Sequence, residues 1–338
     1  MRLPYGVGFG IWDFVMDNFS YSRPATLKDA SALLGKEHGK IVLLAGGTDL
    51  LGELKDNLAA PERLVNIRHL KELQGIRPGR AGLTIGAATL LADIVDSPMV
   101  QQQTPLLAMA AGKVGTPQIR NMGTIGGNLC QRPRCWYYRN NYPCFKHGGN
   151  VCYSATGEND FHAILEAGPS YIVHPSETAN ALVALGASVR IATGGRERTV
   201  PLEKFFVLPR QDATRENILL PNEILTQIEV PNAPAGSKAI YVKEMVREVW
   251  DFPLCSVAAM VTVQNGVVQD ARIVLGGVAP VPYRALKAEA AIKGKPLDEA
   301  SAAASGLAAV DGARPLAKNG YKVPLTQAVV KRALLSLA

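Results

Sequence analysis

A chain of 338 residues, with 47% apolar and 19% charged residues, is large enough to form more than one packed unit and does not have the composition of a disordered protein. The formal charge of +7 favours an acidic partner or a phosphate-bearing ligand. Nucleic-acid binding is not predicted, because the basic residues form no long run and only 6% of residues are aromatic. No membrane span is predicted either, and residues 1–10 lack the apolar core of a secretory signal.

The N-terminal part of the chain predicts a small α/β unit. A Ser/Thr-x-x-Asp/Glu capping signature at residues 26–29 precedes a helical run that ends at Gly35. Residues 41–44 predict a buried strand, and residues 64–67 predict a second. The first strand ends in a glycine turn, and open α/β sheets usually bind ligands at this end of a strand.

The middle of the chain predicts mixed helices and strands. Strands are expected at residues 83–85 and 188–191, and helices at residues 90–95, 106–113 and 177–185. Residues 231–237 contain two prolines and a glycine, which discourage both helix and sheet. We therefore expect the main domain boundary there.

The C-terminal part predicts an antiparallel sheet covered by helices. Residues 257–263 and 267–275 are β-branched, alternating runs on either side of Asn265-Gly266, a strong hairpin signal. Alanine-rich or apolar helices are expected at residues 285–292, 297–310 and 325–337. This domain is therefore predicted to be α+β.

Two glycine-rich segments are candidate phosphate sites. Residues 45–49, Ala-Gly-Gly-Thr-Asp, let backbone N–H groups approach an anion, although a plain tight turn is the alternative. Residues 116–128 contain three glycines with amide and hydroxyl side chains, and an ordinary polar loop is the alternative there. Neither segment matches Gly-x-Gly-x-x-Gly or a Walker loop. Together the two segments favour a large dinucleotide over a small ion.

Four of the five cysteines lie within 23 residues, at positions 130, 135, 144 and 152. Zinc sites usually contain closely spaced Cys-x2–4-Cys pairs, whereas an iron–sulfur cluster is wider and tolerates longer gaps. The spacing leaves open an iron–sulfur cluster, a zinc ion, or structural and paired thiols. The surrounding basic residues could offset the charge of a cluster, or form a solvated basic loop; they are Arg132, Arg134, Arg139, Lys146 and His147.

Hydrolytic and acid–base motifs were not found. The chain has no Gly-x-Ser-x-Gly and no His-Glu-x-x-His, and its five histidines form no ligand pattern. No side chain is therefore predicted to be catalytic, and the sequence is typical of a protein that holds redox centres.

Five segments together resemble the flavin-binding subunit of the xanthine dehydrogenase and aldehyde oxidoreductase superfamily of molybdenum hydroxylases. They are residues 21–24, 44–50, 119–128, 251–254 and 275–278. The resemblance implies an α+β fold, with a two-subdomain FAD-binding domain of the vanillyl-alcohol-oxidase (PCMH-like) type followed by a C-terminal α+β domain. The expected extents are 1–18 for an N-terminal extension, 19–235 for the FAD domain (subdomains 19–68 and 69–235) and 238–338 for the C-terminal domain.

The resemblance also implies the residues that contact FAD. The first motif would cradle the pyrophosphate, the second would add phosphate and flavin contacts, and residues 176–178 stand where much of the family has Ser-Asp-Leu. The expected FAD-binding residues are Leu44, Ala45, Gly46, Gly47, Thr48, Asp49, Leu50, Thr116, Arg120, Asn121, Thr124, Gly126, Gly127, Asn128, Ser176, Glu177 and Thr178.

The stretch between these motifs, residues 129–173, is an insertion that contains the clustered cysteines. It resembles subfamilies whose flavin subunit carries an extra [4Fe–4S] cluster, namely 4-hydroxybenzoyl-CoA reductase and certain periplasmic aldehyde oxidoreductases. The neighbourhood of Pro133, Arg134 and Trp136 is more similar to the aldehyde type. The implied cluster ligands are Cys130, Cys135, Cys144 and Cys152. Because the flavin motifs lie outside the insertion, replacing Cys135 is expected to remove the cluster and leave FAD bound.

The implied partners are a large molybdenum-cofactor subunit and a small subunit with two [2Fe–2S] clusters. Electrons would reach this flavin from the partner clusters and pass to an external acceptor. The alternatives are a 4-hydroxybenzoyl-CoA reductase or xanthine dehydrogenase type of flavin subunit, a zinc-stapled binding module with a flavoprotein-like fold, and a flavin enzyme that oxidises its own substrate. The expected location is cytoplasmic, or periplasmic by co-export with a partner.

Overall fold

The computed structural model describes residues 16–338, so most of the expected N-terminal extension, residues 1–15, lies outside the described part. The first unit is a three-stranded parallel sheet with strand order β1-β3-β2. Its elements are β1 (Ser20–Ser22), α1 (Leu27–Leu33), β2 (Ile41–Leu44), α2 (Leu50–Lys55) and β3 (Arg63–Asn66).

Local sequence signals explain the first unit. The Thr26 hydroxyl accepts a hydrogen bond from the Asp29 N–H (3.1 Å), so the predicted capping signature is confirmed. Helix α1 ends at Leu33, two residues before the expected glycine. Strand β2 has the predicted bounds, and it leads directly into the glycine turn at the carboxyl end of the parallel sheet.

The middle unit contains a five-stranded sheet with order β4-β5-β8-β6-β7 in which neighbouring strands are antiparallel. Its elements are β4 (Ile76–Pro78), β5 (Gly82–Gly86), α3 (Leu91–Asp96), α4 (Pro98–Gln103), α5 (Pro105–Gly112), α6 (Pro117–Arg120), α7 (Ile125–Cys130), α8 (Trp136–Arg139), α9 (Glu177–Ala184), β6 (Ser188–Thr193), β7 (Arg196–Pro201) and β8 (Ile224–Pro231). Every residue of α9 is buried, which makes this helix the centre of the unit.

The C-terminal unit contains a four-stranded antiparallel sheet with order β12-β11-β10-β9. Its elements are β9 (Ser237–Glu244), β10 (Cys255–Gln264), β11 (Val267–Gly276), β12 (Tyr283–Arg284), α10 (Leu286–Ile292), α11 (Glu299–Ala309) and α12 (Lys322–Leu335). Asn265 and Gly266 both have positive φ (51° and 74°), as the predicted two-residue hairpin requires. Helix α12 begins three residues earlier than predicted.

Strand β10 is buried on both faces. Ala258 and Met260 pack into the core of the middle unit with α5 and α9, whereas Val257, Ala259 and Val261 pack beneath α10, α11 and α12. Antiparallel strands commonly have one face exposed to solvent. Because both faces of β10 are buried, its sequence is apolar almost without interruption. The C-terminal sheet therefore shares a core with the middle unit, across the turn between β8 and β9. The division into domains at residues 235–238 stays a prediction.

The insertion runs between α7 and α9 and contains little regular structure. Helix α8 is its only α-helix, and 3₁₀ turns follow at Phe145–His147 and Tyr153–Ala155. Among residues 16–338, no helix combines the length and apolar character that crossing a membrane requires. The arrangement of mixed helices and sheets, with a C-terminal antiparallel sheet covered by helices, confirms the predicted fold class.

Candidate functional site

A cavity of about 990 Å³ lies where the first unit, the middle unit, the insertion and the C-terminal unit meet. This volume is at the upper end of the range for small-molecule and cofactor sites. We call residues 45–48 the first glycine turn, residues 124–128 the second glycine turn, and residues 129–173 the cysteine segment. All three line the cavity.

The first glycine turn presents free backbone donors. Among residues 16–338, no protein acceptor is found for the N–H groups of Gly46, Gly47 and Thr48. Gly47 has φ +75°, a conformation that favours glycine. Successive unpaired N–H groups beside the N-terminus of a helix form an anion-binding concavity. The turn is therefore suited to a phosphate or pyrophosphate group.

The second glycine turn uses its N–H groups inside the protein. The N–H of Ile125 donates to Thr89 O (3.0 Å), that of Gly126 to Ala87 O (2.8 Å), and that of Gly127 to the Thr124 hydroxyl (3.2 Å). A Cβ on Gly126 would lie 2.8 Å from Ala87 O, so glycine permits this close packing. The second turn therefore brings α7 against β5 and leaves few backbone donors for a ligand.

Asn128 carries the polar contribution of the second turn. Its side-chain oxygen accepts hydrogen bonds from the hydroxyls of Ser176 (2.5 Å) and Thr178 (2.6 Å), all three being buried. Among the described residues its side-chain nitrogen has no protein acceptor, and Asn128 lines the cavity. Its amide can therefore donate to a polar ligand.

The structure divides the sequence-predicted FAD residues into two groups. Those that line the cavity are Ala45, Gly46, Gly47, Thr48, Asp49, Leu50, Thr124, Gly126, Gly127, Asn128 and Glu177. Those outside the cavity lining are Leu44, Thr116, Arg120, Asn121, Ser176 and Thr178. Two residues of the second group make hydrogen bonds within the protein instead: Thr116 caps α6, and the Arg120 guanidinium donates to Val114 O (2.9 Å).

A buried ion pair joins the middle and C-terminal units at the cavity. Lys243 Nζ lies 2.6 Å from Glu177 Oε1, and both side chains are almost fully buried. The same ammonium donates to Lys113 O (2.9 Å) and Asp251 O (2.7 Å), so it fixes the loop after β9 against α9. Burial raises the pKa of Glu177, and Lys243 opposes this rise. No short-range pattern in the sequence marks Lys243, because its partner lies 66 residues away.

The cysteine segment forms one side of the cavity through basic and aromatic side chains. Cavity-lining residues of this segment are Cys130, Gln131, Arg132, Arg134, Tyr138, Lys146 and His147. The interpretation of the basic residues as a solvated loop is wrong for Lys146, which is 6% exposed and paired with Glu216. Burial lowers the pKa of Lys146, and Glu216 opposes this. No local pattern marks such a pair, because its members are far apart in sequence.

The four clustered cysteines are free thiols. Burial raises the pKa of Cys130 to about 12 and that of Cys135 to about 11, and Cys152 and Cys144 lie near enough to add to the rise at Cys135. Within residues 16–338, no three or more His, Cys, Asp or Glu side chains form a group that could hold a metal ion. Cys255 lies apart, fully buried in β10.

The C-terminal unit adds a loop to the cavity, of which only residues 251–254 belong to a sequence motif. Arg247, Trp250, Asp251 and Phe252 line the cavity, and Trp250 is 66% exposed with the Arg247 guanidinium 5.9 Å from its ring centre. This loop places exposed aromatic surface at the edge of the cavity.

Comparison with known proteins identifies the group to which this architecture belongs. A family profile described as "FAD binding domain in molybdopterin dehydrogenase" matches residues 17–233, and one described as "CO dehydrogenase flavoprotein C-terminal domain" matches residues 240–337. The carbon monoxide dehydrogenase medium chain of Hydrogenophaga pseudoflava is 31% identical over 94% of this chain and 96% of that protein. The aldehyde oxidoreductase FAD-binding subunit PaoB of Escherichia coli is 32% identical over 95% of this chain and 98% of that protein.

Solved structures agree with these sequence matches. A carbon monoxide dehydrogenase of H. pseudoflava that lacks the Mo-pyranopterin moiety of its cofactor has a chain with a TM-score of 0.77 at 31% identity, covering 96% of this chain and 98% of that one. The chain therefore belongs to the family of FAD-binding medium subunits of the xanthine dehydrogenase, CO dehydrogenase and aldehyde oxidoreductase group of molybdenum hydroxylases.

Proposed function

We propose that this chain is the FAD- and [4Fe–4S]-containing electron-transfer subunit of a heteromeric molybdenum hydroxylase that oxidises an aldehyde to a carboxylic acid. Its partners would be a large molybdenum-cofactor subunit and a small subunit with two [2Fe–2S] clusters, and an external acceptor would take the electrons. The observation that carries the proposal is that the cysteine segment itself forms part of the flavin cavity. A cluster held there would lie beside the flavin.

The cavity fits FAD, which is the cofactor of the matching domain family. The free N–H groups of Gly46, Gly47 and Thr48 would hold the pyrophosphate, and the Asn128 amide would donate to another polar group of the cofactor. FAD supplies the electron-transfer chemistry, whereas the chain supplies position, exclusion of water and electrostatics. The buried Glu177–Lys243 pair would hold the C-terminal loop in place over the site.

The proposed cluster ligands are Cys130, Cys135, Cys144 and Cys152. The assignment is supported by the position of all four cysteines within 23 residues of one segment. In a zinc site with Zn–S bonds of about 2.3 Å the ligands converge on one point. The described residues contain no such preassembled group of three ligands, so metal analysis must decide between a zinc ion and a cluster. An iron–sulfur cluster has its ligands on several metal ions and needs more widely spaced sulfurs.

The similarity to PaoB at 32% identity supports an aldehyde substrate, and the CO dehydrogenase medium chain, similar at 31%, makes CO the alternative. The purified complex should therefore be reduced anaerobically with aldehydes, CO and xanthine in separate reactions, and bleaching of the flavin absorbance should be recorded. Bleaching by aldehydes supports the proposed substrate class. Bleaching by CO or xanthine alone would assign the chain to one of those enzymes instead.

Metal analysis tests the second cofactor. Relative to a complex with only two [2Fe–2S] clusters, we expect about four additional irons with acid-labile sulfide. Cys135→Ser should remove these four irons, and the matched control Cys255→Ser should retain them, because Cys255 lies in the core beneath α12. One zinc per chain, or equal iron loss in both variants, would contradict the ligand assignment.

A further inference from the structure

The carboxylate of Asp49 is held entirely by the cysteine segment. One oxygen accepts a hydrogen bond from the Arg139 guanidinium (2.9 Å) and forms an ion pair with the Arg134 guanidinium (2.9 Å). The other oxygen accepts a hydrogen bond from the backbone N–H of Arg132 (2.7 Å). Asp49 directly follows the free N–H groups of the first glycine turn, yet its side chain makes no cap hydrogen bond to α2. The contacts of the Asp49 carboxylate therefore join the first glycine turn to the cysteine segment.

The contact continues one turn along α2 at Glu53. The Tyr138 hydroxyl donates to Glu53 Oε1 (2.8 Å), and Arg139 Nη1 lies 3.5 Å from the same oxygen. Burial raises the pKa of Glu53, and the charge of Asp49 adds to this rise. Arg139 therefore bridges two carboxylates on one face of α2 that would otherwise repel each other. A further bond from Arg139 Nε to Pro133 O (2.9 Å) fixes the guanidinium.

The segment is also anchored at Glu216. Arg132 lies 3.2 Å from Glu216, and Lys146 pairs with the same carboxylate, which is buried. Because ion pairs hold it at Asp49 and at Glu216, the segment cannot move away without leaving buried charges unpaired, which is costly.

These contacts have an electrostatic consequence for the first glycine turn. A pyrophosphate bound there would lie near the Asp49 carboxylate, and two negative groups at close range repel each other. Arg134 and Arg139 offset that charge. Arg139 is not part of the cavity lining, so its influence on a ligand must act through Asp49 and Glu53.

We propose that Arg139 is a positioning residue for FAD, and that through Asp49 the cysteine segment and the flavin site stabilise each other. The second half of this inference rests on the proposed function. A loaded cluster would order the segment and keep Arg134 and Arg139 on Asp49, which strengthens FAD binding, and by linkage bound FAD strengthens cluster retention. The sequence alone predicted that Cys135→Ser keeps FAD; the contacts now predict that it weakens FAD binding.

The positioning role is tested by FAD affinity in the purified complex, measured by removing FAD and titrating it back. Arg139→Gln should raise the Kd for FAD about tenfold, within the usual range for coupling between sites. Arg139→Lys should raise it less, because an ammonium keeps the charge but cannot bridge both carboxylates in the same way. The matched control is Arg190→Gln, which breaks pairs with Glu229 and Glu197 away from the cavity and should leave the Kd unchanged.

A Kd for Arg139→Gln equal to that of the control would overturn the positioning role. If Arg139→Gln does not fold, Arg139→Lys decides the question, and an unchanged Kd in that variant has the same meaning. A Kd for Arg139→Lys that lies between those of the wild type and Arg139→Gln, together with an unaffected control, separates positioning from a general loss of stability.

The coupling is tested with Cys135→Ser, alone and combined with Arg139→Gln. Cys135→Ser should lose iron and raise the Kd for FAD, and adding Arg139→Gln should raise it little further, because both changes release the same contact. Independent, multiplying effects would overturn the coupling. If the wild-type complex has no additional iron, the proposed cluster fails, while the Arg139 measurements still decide the positioning role.

Discussion

The two glycine turns of the flavin cavity are alike in composition and opposite in use. In the first turn, the N–H groups of Gly46, Gly47 and Thr48 have no protein acceptors among residues 16–338. In the second turn, the N–H groups of Ile125, Gly126 and Gly127 donate hydrogen bonds to other atoms of the protein. Glycine in the first turn exposes backbone donors, and glycine in the second lets a helix approach a strand. Glycine content therefore indicates where backbones come close, and only the hydrogen bonds show whether a ligand is involved.

The largest effect is expected where the first turn touches residues 122–123, which lead into the second turn. A Cβ on Gly46 would lie 2.9 Å from Gly123 Cα and closer still to Met122 O, and neither backbone can yield easily. Gly46→Ala should therefore force the turns apart, lower the free energy of unfolding by about 3 kcal/mol and greatly weaken FAD binding. Urea unfolding and FAD titration of the purified chain would measure both.

Gly52→Ala is the matched control for this change. A Cβ at Gly52, in α2, meets nothing within 4 Å, so the substitution should be neutral or stabilise by up to about 1 kcal/mol through helix propensity. Gly46→Ala protein that binds FAD like the control would show that the turns do not need their close contact.

The second turn should show its role in stability without the cofactor. Asn128→Ala removes the acceptor of the buried Ser176 and Thr178 hydroxyls, so the FAD-free chain should lose about 2 kcal/mol of unfolding free energy. Asn222→Ala, at an exposed position, should change stability by less than about 0.5 kcal/mol. A loss for Asn128→Ala that appears only with FAD bound would instead assign Asn128 mainly to ligand binding.

Local signals in the sequence predicted individual elements of the fold, whereas contacts between residues far apart in the sequence were not predicted. The Thr26 cap, the Asn265-Gly266 hairpin and the strand before the first turn depend on neighbouring residues, so a single sequence reveals them. Asp49 meets Arg132 and Arg139 across 83 and 90 residues. Such pairs depend on how the insertion folds back over α2, and no short-range pattern encodes that path.

His174 supports the second turn in a way that pH should reveal. Its Nδ1 accepts a hydrogen bond from the Ser176 N–H (3.3 Å), and burial lowers its pKa to about 3. Below pH 6.5 the unfolded chain binds a proton at this ring that the folded chain does not, so stability falls as pH falls from 6.5 toward 3. The slope approaches about 1.4 kcal/mol per pH unit.

The variant His174→Asn keeps an acceptor for Ser176 but cannot titrate. Its unfolding free energy, measured between pH 8 and pH 5, should therefore decline less on acidification than that of the wild type, while the two should run parallel above pH 7. Identical acid slopes would mean that His174 takes up a proton in the folded chain as readily as in the unfolded chain.

The smallest changes in stability and FAD binding are expected for two threonines that cap helices, only one of which lines the cavity. Thr124 caps α7 at Gly127 N (3.2 Å) and lines the cavity, whereas Thr116 caps α6 at Ile119 N (3.3 Å) and does not. Replacing either by valine keeps the shape and removes the cap, so each variant should lose about 1 kcal/mol of stability. Only Thr124→Val should also weaken FAD binding, because it alone removes a hydroxyl from the cavity lining and the cap that fixes the second glycine turn there. Equal loss of FAD affinity in Thr116→Val would extend the flavin contacts to α6, as the sequence motif predicted.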